Sequence, residues 1–321
     1  MITDIPSSDE FKKVAIECLI QAFNSIENVD NSLTNDTPRE DVWNYNQIVL
    51  RTSIVLIHQG LEGLLKAEIC KFSPLLLLDN KRSEWKTLPE SKDESFSDLF
   101  TIGAEDLLRT FYGCVGSRNV HVNFLNLFKE IRIKRNKIVH GIGAEKLTPE
   151  YVLILILNSF TYALGKNSFW DAISSKFYQH PGFQFEDEYL EWQDSIFYNR
   201  MEYLNAFLGI KELKKHFSIN IASRAYLCPF CTEKAEQITT KGLIRPDAKW
   251  AFLNPNSPSS NKMSCIICST DFGIIRHDCS KKKCKGNVLY LIDDDEDSET
   301  WICLTCWKEK KVKSPKSYQI D

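Results

Sequence analysis

The sequence has no excess of charge of either sign: 40 basic and 43 acidic side chains over 321 residues give a net −3. That excludes a protein that binds nucleic acid through its overall charge, so any such binding has to rest on local patches. Long hydrophobic runs are also missing. The longest, Tyr151 to Leu157, falls far short of the roughly 20 residues that a membrane span needs. The opening residues MITDIPSSDEF have neither the basic region nor the apolar core of a secretory signal. These absences lead us to expect a cytoplasmic protein with no membrane segment. No stretch of 20–50 residues repeats, and the acidic run Asp293–Asp297 is the only low-complexity tract. With 43% hydrophobic and 26% charged residues, the chain has the composition of a folded globular protein rather than a disordered one.

Cysteine, by contrast, is plentiful and unevenly placed. Of the 11 cysteines only Cys18, Cys70 and Cys114 precede residue 220, while eight lie between Cys228 and Cys306. In a chain of this length without a secretory signal, that clustering points to metal binding rather than to disulfides. Charge divides in the same way: residues 221–321 carry 16 basic and 13 acidic groups, against 24 and 30 before them. We place a domain boundary near 215–227, where a helical pattern ends in Lys214-Lys215-His216-Phe217 and the first cysteine pair begins. Residues 1–220 form one expected domain and 221–321 the other.

Sparse glycine and proline, together with apolar spacing, make the first domain helical. Phe11, Val14, Ala15, Cys18, Leu19, Ala22, Phe23 and Ile26 follow one buried helix face. Ser7 and Glu10 form a capping box in front of it. A second helix is predicted over about 41–72, with Leu50, Ile54, Ile57, Leu61 and Leu64 on one stripe. After the polar stretch that follows Ser73-Pro74, a short helix near 104–112 and a long one from about 119 to 139 are expected, the latter ending before Gly141. Thr148-Pro149-Glu150 starts another, with Thr as N-cap and Pro in the first turn. A further amphipathic helix covers about 185–215. The fold class is therefore mainly α, a helical bundle followed by a small cysteine-rich module.

The helix ending at Gly141 carries Arg135-Asn136-Lys137-Ile138-Val139-His140. Phe124, Phe128, Ile131 and Ile138 form its buried stripe, and Arg135 sits in that stripe between Ile131 and Ile138. A guanidinium there needs a carboxylate, a carbonyl or a phosphate, because a buried unpaired charge is costly. Asn136 and His140, four apart, share an adjacent face. Arg binds phosphate bidentately and His titrates near neutral pH, which suits phosphodiester chemistry. The structural alternative pairs Arg135 with Glu62 or Glu68 and makes His140 a cap at a helix C-terminus.

In context, this segment resembles the HEPN superfamily. A helix containing Gly60-Leu61-Glu62-Gly63-Leu64-Leu65-Lys66-Ala67-Glu68-Ile69, then an insertion, then a helix ending in Arg-x4-His, follows the order of that fold over residues 5–170. The resemblance implies a metal-independent endoribonuclease of toxin–antitoxin, abortive-infection or other antiviral defence type. Its cleft would form where two Arg-x4-His motifs meet in a homodimer. Carried over, His140 would transfer a proton at the attacking 2′-hydroxyl or the leaving 5′-oxygen, Arg135 would hold the scissile phosphate, and Asn136 would orient the phosphate or the histidine. A 2′,3′-cyclic phosphate is the implied product, RNA the implied partner, and an antitoxin or trigger protein a second one. Some members carry a Tyr two residues after the His that a partner enzyme modifies. Here that position is Ile142, which argues against that mode of control.

The second domain is read from its own residues. Cys228-x2-Cys231, Cys265-x2-Cys268, Cys279-x4-Cys284 and Cys303-x2-Cys306 are four tight pairs. Each turns sharply enough to set two thiolates on one tetrahedral ion, and two pairs close a structural zinc site. Pairing in sequence order gives two four-cysteine sites, Cys228, Cys231, Cys265 and Cys268, then Cys279, Cys284, Cys303 and Cys306. An interleaved pairing stays open, with His277 as a reserve ligand. Asn287–Ile292 and Thr300–Ile302 are predicted strands of a zinc-ribbon hairpin. Lys281, Lys282, Lys283 and Lys285, with Trp250, Phe252, Tyr290, Trp301 and Trp307, offer RNA a charged and stacking surface. Solvated lysines and core aromatics are the plainer account. A non-catalytic interaction protein is the rival to the nuclease.

Overall fold

A computed structural model describes residues 1–31, 38–79, 93–116, 122–141, 145–178, 188–232, 249–295 and 298–313. The chain divides into two compact units, Met1–Lys176 and Phe177–Asp321.

In the first unit, β1 (Ile2–Thr3) precedes α1 (Ser8–Asn31), α2 (Arg39–Tyr45) and α3 (Gln47–Cys70). A 3-10 turn at Pro74–Leu77 and β2 (Glu94–Ser95), paired in parallel with β1, lead to α4 (Ala104–Val115), α5 (Val122–Val139), α6 (Pro149–Leu164) and α7 (Ser168–Tyr178). The expected capping box opens α1: Ser7 N donates to Glu10 Oε2 at 2.7 Å and Glu10 N to Ser7 Oγ at 3.2 Å. Thr148 caps α6 by accepting from Tyr151 N at 3.3 Å.

α1 and α3 run antiparallel, since Ser8 Oγ donates to Ala67 O at one end and Ser53 Oγ to Ala22 O at the other. Their close approach depends on two glycines of α3. A Cβ at Gly60 would lie 2.8 Å from Leu19 Cγ and 3.0 Å from the Ala15 carbonyl; one at Gly63 would lie 2.9 Å from Ala15 Cβ. α3 also packs against α4, α5 and α6. Its Leu50, Ile54, Ile57, Leu61 and Leu65 are fully buried, and each contributes about 1.5–3 kcal/mol. Among the described residues α3 is the one helix long and apolar enough to cross a bilayer, and 50% of that stretch is buried inside the protein. A count of unbroken apolar runs passes over such a helix.

Within the first unit the structure departs from expectation at three points. The helix predicted over 41–72 is two helices, broken at Asn46. Asn46 Nδ2 donates to Val42 O, and Gln47 bridges Trp43 O and both backbone groups of Leu147. Side chains thus take over backbone partners at the joint. Val14, placed on the buried face of α1, is 53% exposed. α7 was not anticipated; its Phe169 packs edge-on against Phe23 at 5.1 Å and Phe160 at 5.4 Å.

Among the described residues the second unit has α8 (Glu188–Leu208), α9 (Ile210–Leu213) and six strands. The helix expected over 185–215 breaks at Gly209, whose φ of 72° only glycine adopts freely; residues 185–187 lie outside the described ones. β3 (Ala251–Leu253), β4 (Lys262–Cys265) and β5 (Asp271–Gly273) form one antiparallel sheet. β6 (Leu289–Asp295), β7 (Ser298–Cys303) and β8 (Glu309–Lys313) form another. The predicted hairpin corresponds to β6 and β7, and β8 adds a third strand beside β7. The boundary near 220 marks where the cysteines begin, whereas the compact unit that holds them also takes in α8 and α9. One tie is the Trp250 indole, which donates to Glu202 of α8 at 2.9 Å.

The two sheets are fused. Leu227 N donates to Leu304 O at 2.9 Å, and Tyr226–Ala251 and Ile275–Leu289 form antiparallel bridges. Phe230, Phe272 and Tyr290 stack edge-on at 5.6–5.9 Å between them.

Candidate functional site

The cysteines assemble as two tetrads in sequence order: Cys228, Cys231, Cys265 and Cys268, and Cys279, Cys284, Cys303 and Cys306. Within each, all four sulfurs lie within 4.8 Å of one another. The Cys228–Cys268, Cys231–Cys265, Cys279–Cys306 and Cys284–Cys303 separations are 3.7, 3.8, 3.6 and 3.9 Å. A tetrahedral ion with metal–sulfur bonds of about 2.3 Å needs sulfurs about 3.8 Å apart, whereas a disulfide needs about 2.05 Å. All eight are free thiols spaced to hold two metal ions. The interleaved pairing is excluded by this geometry. His277 belongs to neither tetrad; it is exposed, with Nδ1 2.9 Å from Asp278 O.

Local structure explains the spacing. Backbone amides of Ile267, Lys281 and Gly286 point at the sulfurs of Cys265, Cys279 and Cys284 at 3.3–3.4 Å, and donors so placed stabilise thiolate charge. Gly286 is required by close approach: a Cβ there would lie 2.6 Å from Thr305 Oγ1 and 2.9 Å from Cys303 Sγ. Four sulfurs so close cannot ionise independently. Hydrogen bonds from Cys228, Cys231 and Cys265 hold the Cys268 thiol far below the usual range, while burial pushes Cys265 well above it.

In the helical unit, Arg135 and Asn136 meet directly, Arg135 Nη1 donating to Asn136 Oδ1 at 3.1 Å. His140 stands at the exposed end of α5, its amide bonded to Asn136 O at 3.0 Å. Gly141 follows at φ 67°, the left-handed residue that ends the helix. Five residues at 1.5 Å rise put His140 about 7.5 Å along the axis from Arg135. Among the described residues the His140 imidazole has no partner, and Ile142 lies outside them.

Glu62 and Glu68 do not take Arg135: they pair with Lys66 at 2.9 Å and with Lys71. Two other cations of α5 are paired, Arg132 with Glu105 and Lys134 with Glu145, while Lys129 and Lys137 are exposed. Arg135, half-buried, is in no ion pair among the described residues. It lines a cleft of about 330 Å³ with Val14 of α1 and His58, Glu62 and Lys66 of α3.

His58 is the site residue that sequence reasoning missed. It is buried, stacked on Phe128 at 5.4 Å, with Nδ1 3.8 Å from Glu62 and Nε2 without a hydrogen-bond partner among the described residues. Burial lowers its pKa, and Arg135 and Arg132 add to that against the opposing pull of Glu62. The signal was there: His58, Glu62 and Lys66 recur every four residues along a stretch, Ile54 to Ala67, whose other positions are apolar or glycine except Gln59.

Comparison with protein-family models, with curated proteins and with solved structures finds no match to this chain.

Proposed function

We propose that this chain is a metal-independent endoribonuclease of the HEPN type, with two structural zinc ions in its second unit. The observation that carries the catalytic reading is Arg135, a half-buried cation held toward Asn136 that, unlike Arg132 and Lys134 on the same helix, is in no ion pair among the described residues. A phosphate supplies the missing anion, and the guanidinium offsets charge as it develops on the phosphorus oxygens. His140, exposed about 7.5 Å further along the helix axis, is the proton-transfer group in this reading.

The reaction follows from those groups. One His140 takes the proton from a 2′-hydroxyl as its oxygen bonds to phosphorus. The bond from phosphorus to the 5′-oxygen breaks, and that oxygen receives a proton from a second His140. A 2′,3′-cyclic phosphate and a free 5′-hydroxyl result. Since each chain has one such histidine, the site is composite and the protein acts as a homodimer. The end of α5 supports this, because it leaves the apolar Val139 52% exposed, a side chain that a second copy would cover. Zinc is the ion that four thiolates at these spacings favour. With every coordination position filled by sulfur, it braces the fold and leaves substrate no place on the metal.

Single-stranded RNA, cut by the wild type and by His140→Ala with product ends examined, tests the reading. The variant is expected to lose roughly 10²–10⁴ in rate and stay folded, with cyclic phosphate ends in the wild type and no cutting of DNA. A folded His140→Ala that cuts as fast as wild type would leave the non-catalytic interaction protein as the better account.

A further inference from the structure

We infer that the second tetrad carries a docking face for the phosphate backbone of single-stranded nucleic acid, made by the lysines of its two knuckles. Lys281, Lys282, Lys283 and Lys285 lie within two residues of Cys279 or Cys284, and Lys308 within two residues of Cys306. Two residues of chain reach about 7 Å, so the backbones of all five crowd one four-sulfur centre. The turns that fix them are hydrogen-bonded: Cys284 N to Lys281 O at 2.8 Å, Cys279 N to Gly286 O at 2.9 Å and Cys303 N to Lys308 O at 3.0 Å. Arg224 joins them through Thr305, between the ligands of the second knuckle, its Nη2 donating to Oγ1 at 3.3 Å. Lys310 and Lys311 continue the charge along β8.

All five knuckle lysines are exposed, and among the described residues none is in an ion pair. The plainer account, that they balance the thiolates, covers only part of the charge. A tetrathiolate centre around one divalent ion carries −2, enough for two cations. Asp278 and Glu309 are the nearby acids in the sequence. The acidic run begins at Asp293, four residues along β6 from Leu289, which sets its first backbone position about 13 Å from that end of the strand at the strand rise, beyond one Debye length at physiological salt.

Cations held this close without partners repel one another, and a polyanion relieves the repulsion. A phosphodiester strand does so with regularly spaced charges and also brings bases. Trp307, half-buried in the same turn as Lys308, offers them a ring. The face would hold the strand that the helical unit cuts, and to that extent the inference rests on the nuclease reading; binding itself does not require cleavage.

The test uses the full zinc-loaded chain and a fluorescent 20-nucleotide 2′-deoxy oligonucleotide, which lacks the nucleophile and so reports binding alone. Affinity is measured by anisotropy between 50 and 200 mM salt. Lys281→Gln, Lys282→Gln, Lys283→Gln and Lys285→Gln together are expected to weaken binding by about tenfold or more. The same change should flatten the salt slope by about 3, at roughly 0.7 per lost contact. The same four-fold change at Lys12, Lys13, Lys129 and Lys211, exposed on helices, should leave both unchanged. Zinc content of each variant shows that the knuckle is intact. No binding by the wild type, an unaltered slope in the knuckle variant, or equal competition by polyglutamate of the same charge would each overturn the inference. Loss of cleavage by His140→Ala with this binding intact would concern the catalytic site alone.

Discussion

The two units are held together in opposite ways. The helical unit is held by area: α3 buries large aliphatic side chains against α1, α4, α5 and α6, and no single contact decides the fold. The cysteine-rich unit is held by a few points, two tetrads joined by short three-stranded sheets and one aromatic trio. A fold built on area loses stability gradually as side chains are trimmed. One built on metal-ligating points loses it in steps. Candidate chemistry is distributed the same way, spread along two helices in one unit and locked into coordination geometry in the other.

The largest expected effect breaks that comparison outright. Structural zinc in small modules is worth on the order of 10–16 kcal/mol of folding free energy. Chelation, or Cys265→Ser, should therefore unfold residues 226–310 while residues 1–176 stay protected in hydrogen exchange. Elemental analysis of untreated protein should find two zinc ions per chain. Oxidised thiols and no metal in protein never exposed to chelator would rule out the point-held description.

Substituting the glycines sharpens the contrast. Gly60→Ala pushes a methyl against Leu19 and the Ala15 carbonyl, which should cost about 1–3 kcal/mol, read as a lowered Tm of the helical unit with metal content unchanged. Gly286→Ala collides with Thr305 and Cys303 Sγ and should do the reverse, weakening the second metal ion while the first stays bound. Competition with a colorimetric chelator separates the two sites, and equal loss from both would count against their distinct geometry.

The smallest effect concerns His58. Burial holds its folded-state pKa below the ordinary 6.5, so the unfolded chain binds the extra proton first as the pH falls. Stability of the helical unit should be fully present above pH 6.5 and decline below it. His58→Gln should flatten that decline, measured as urea midpoints at pH 5 and 7.5. A decline of the same size in the variant would assign the pH dependence to other groups.

Local signals were the legible ones. Ser7 with Glu10, Thr148-Pro149 and Gly141 each begin or end a helix through contacts within a few residues, and the structure has those contacts. Cysteine pairing was legible because a knuckle is also local, although the choice of partner knuckle needed the fold. What escaped depends on distant residues. Asn46 interrupts a helix partly because Gln47 is claimed by Leu147, 100 positions away. β8, with the sequence EKKVK, is too charged to resemble a strand and exists because β7 gives it a ladder to pair with. His58 needed Phe128 of another helix to become a buried residue rather than a surface one.

The hydrogen bond from Leu227 to Leu304 has a consequence for the order of events during synthesis. These residues stand 77 positions apart, and at 5–20 residues per second the ribosome takes roughly 4–15 s to go from one to the other. Cys228 and Cys231 emerge at the start of that interval and wait for Cys265 and Cys268 before they can share an ion. With metal as the cross-link, the first knuckle would stay an unligated pair of thiols for seconds in every molecule made, and the supply of metal during synthesis would limit how many reach the finished form.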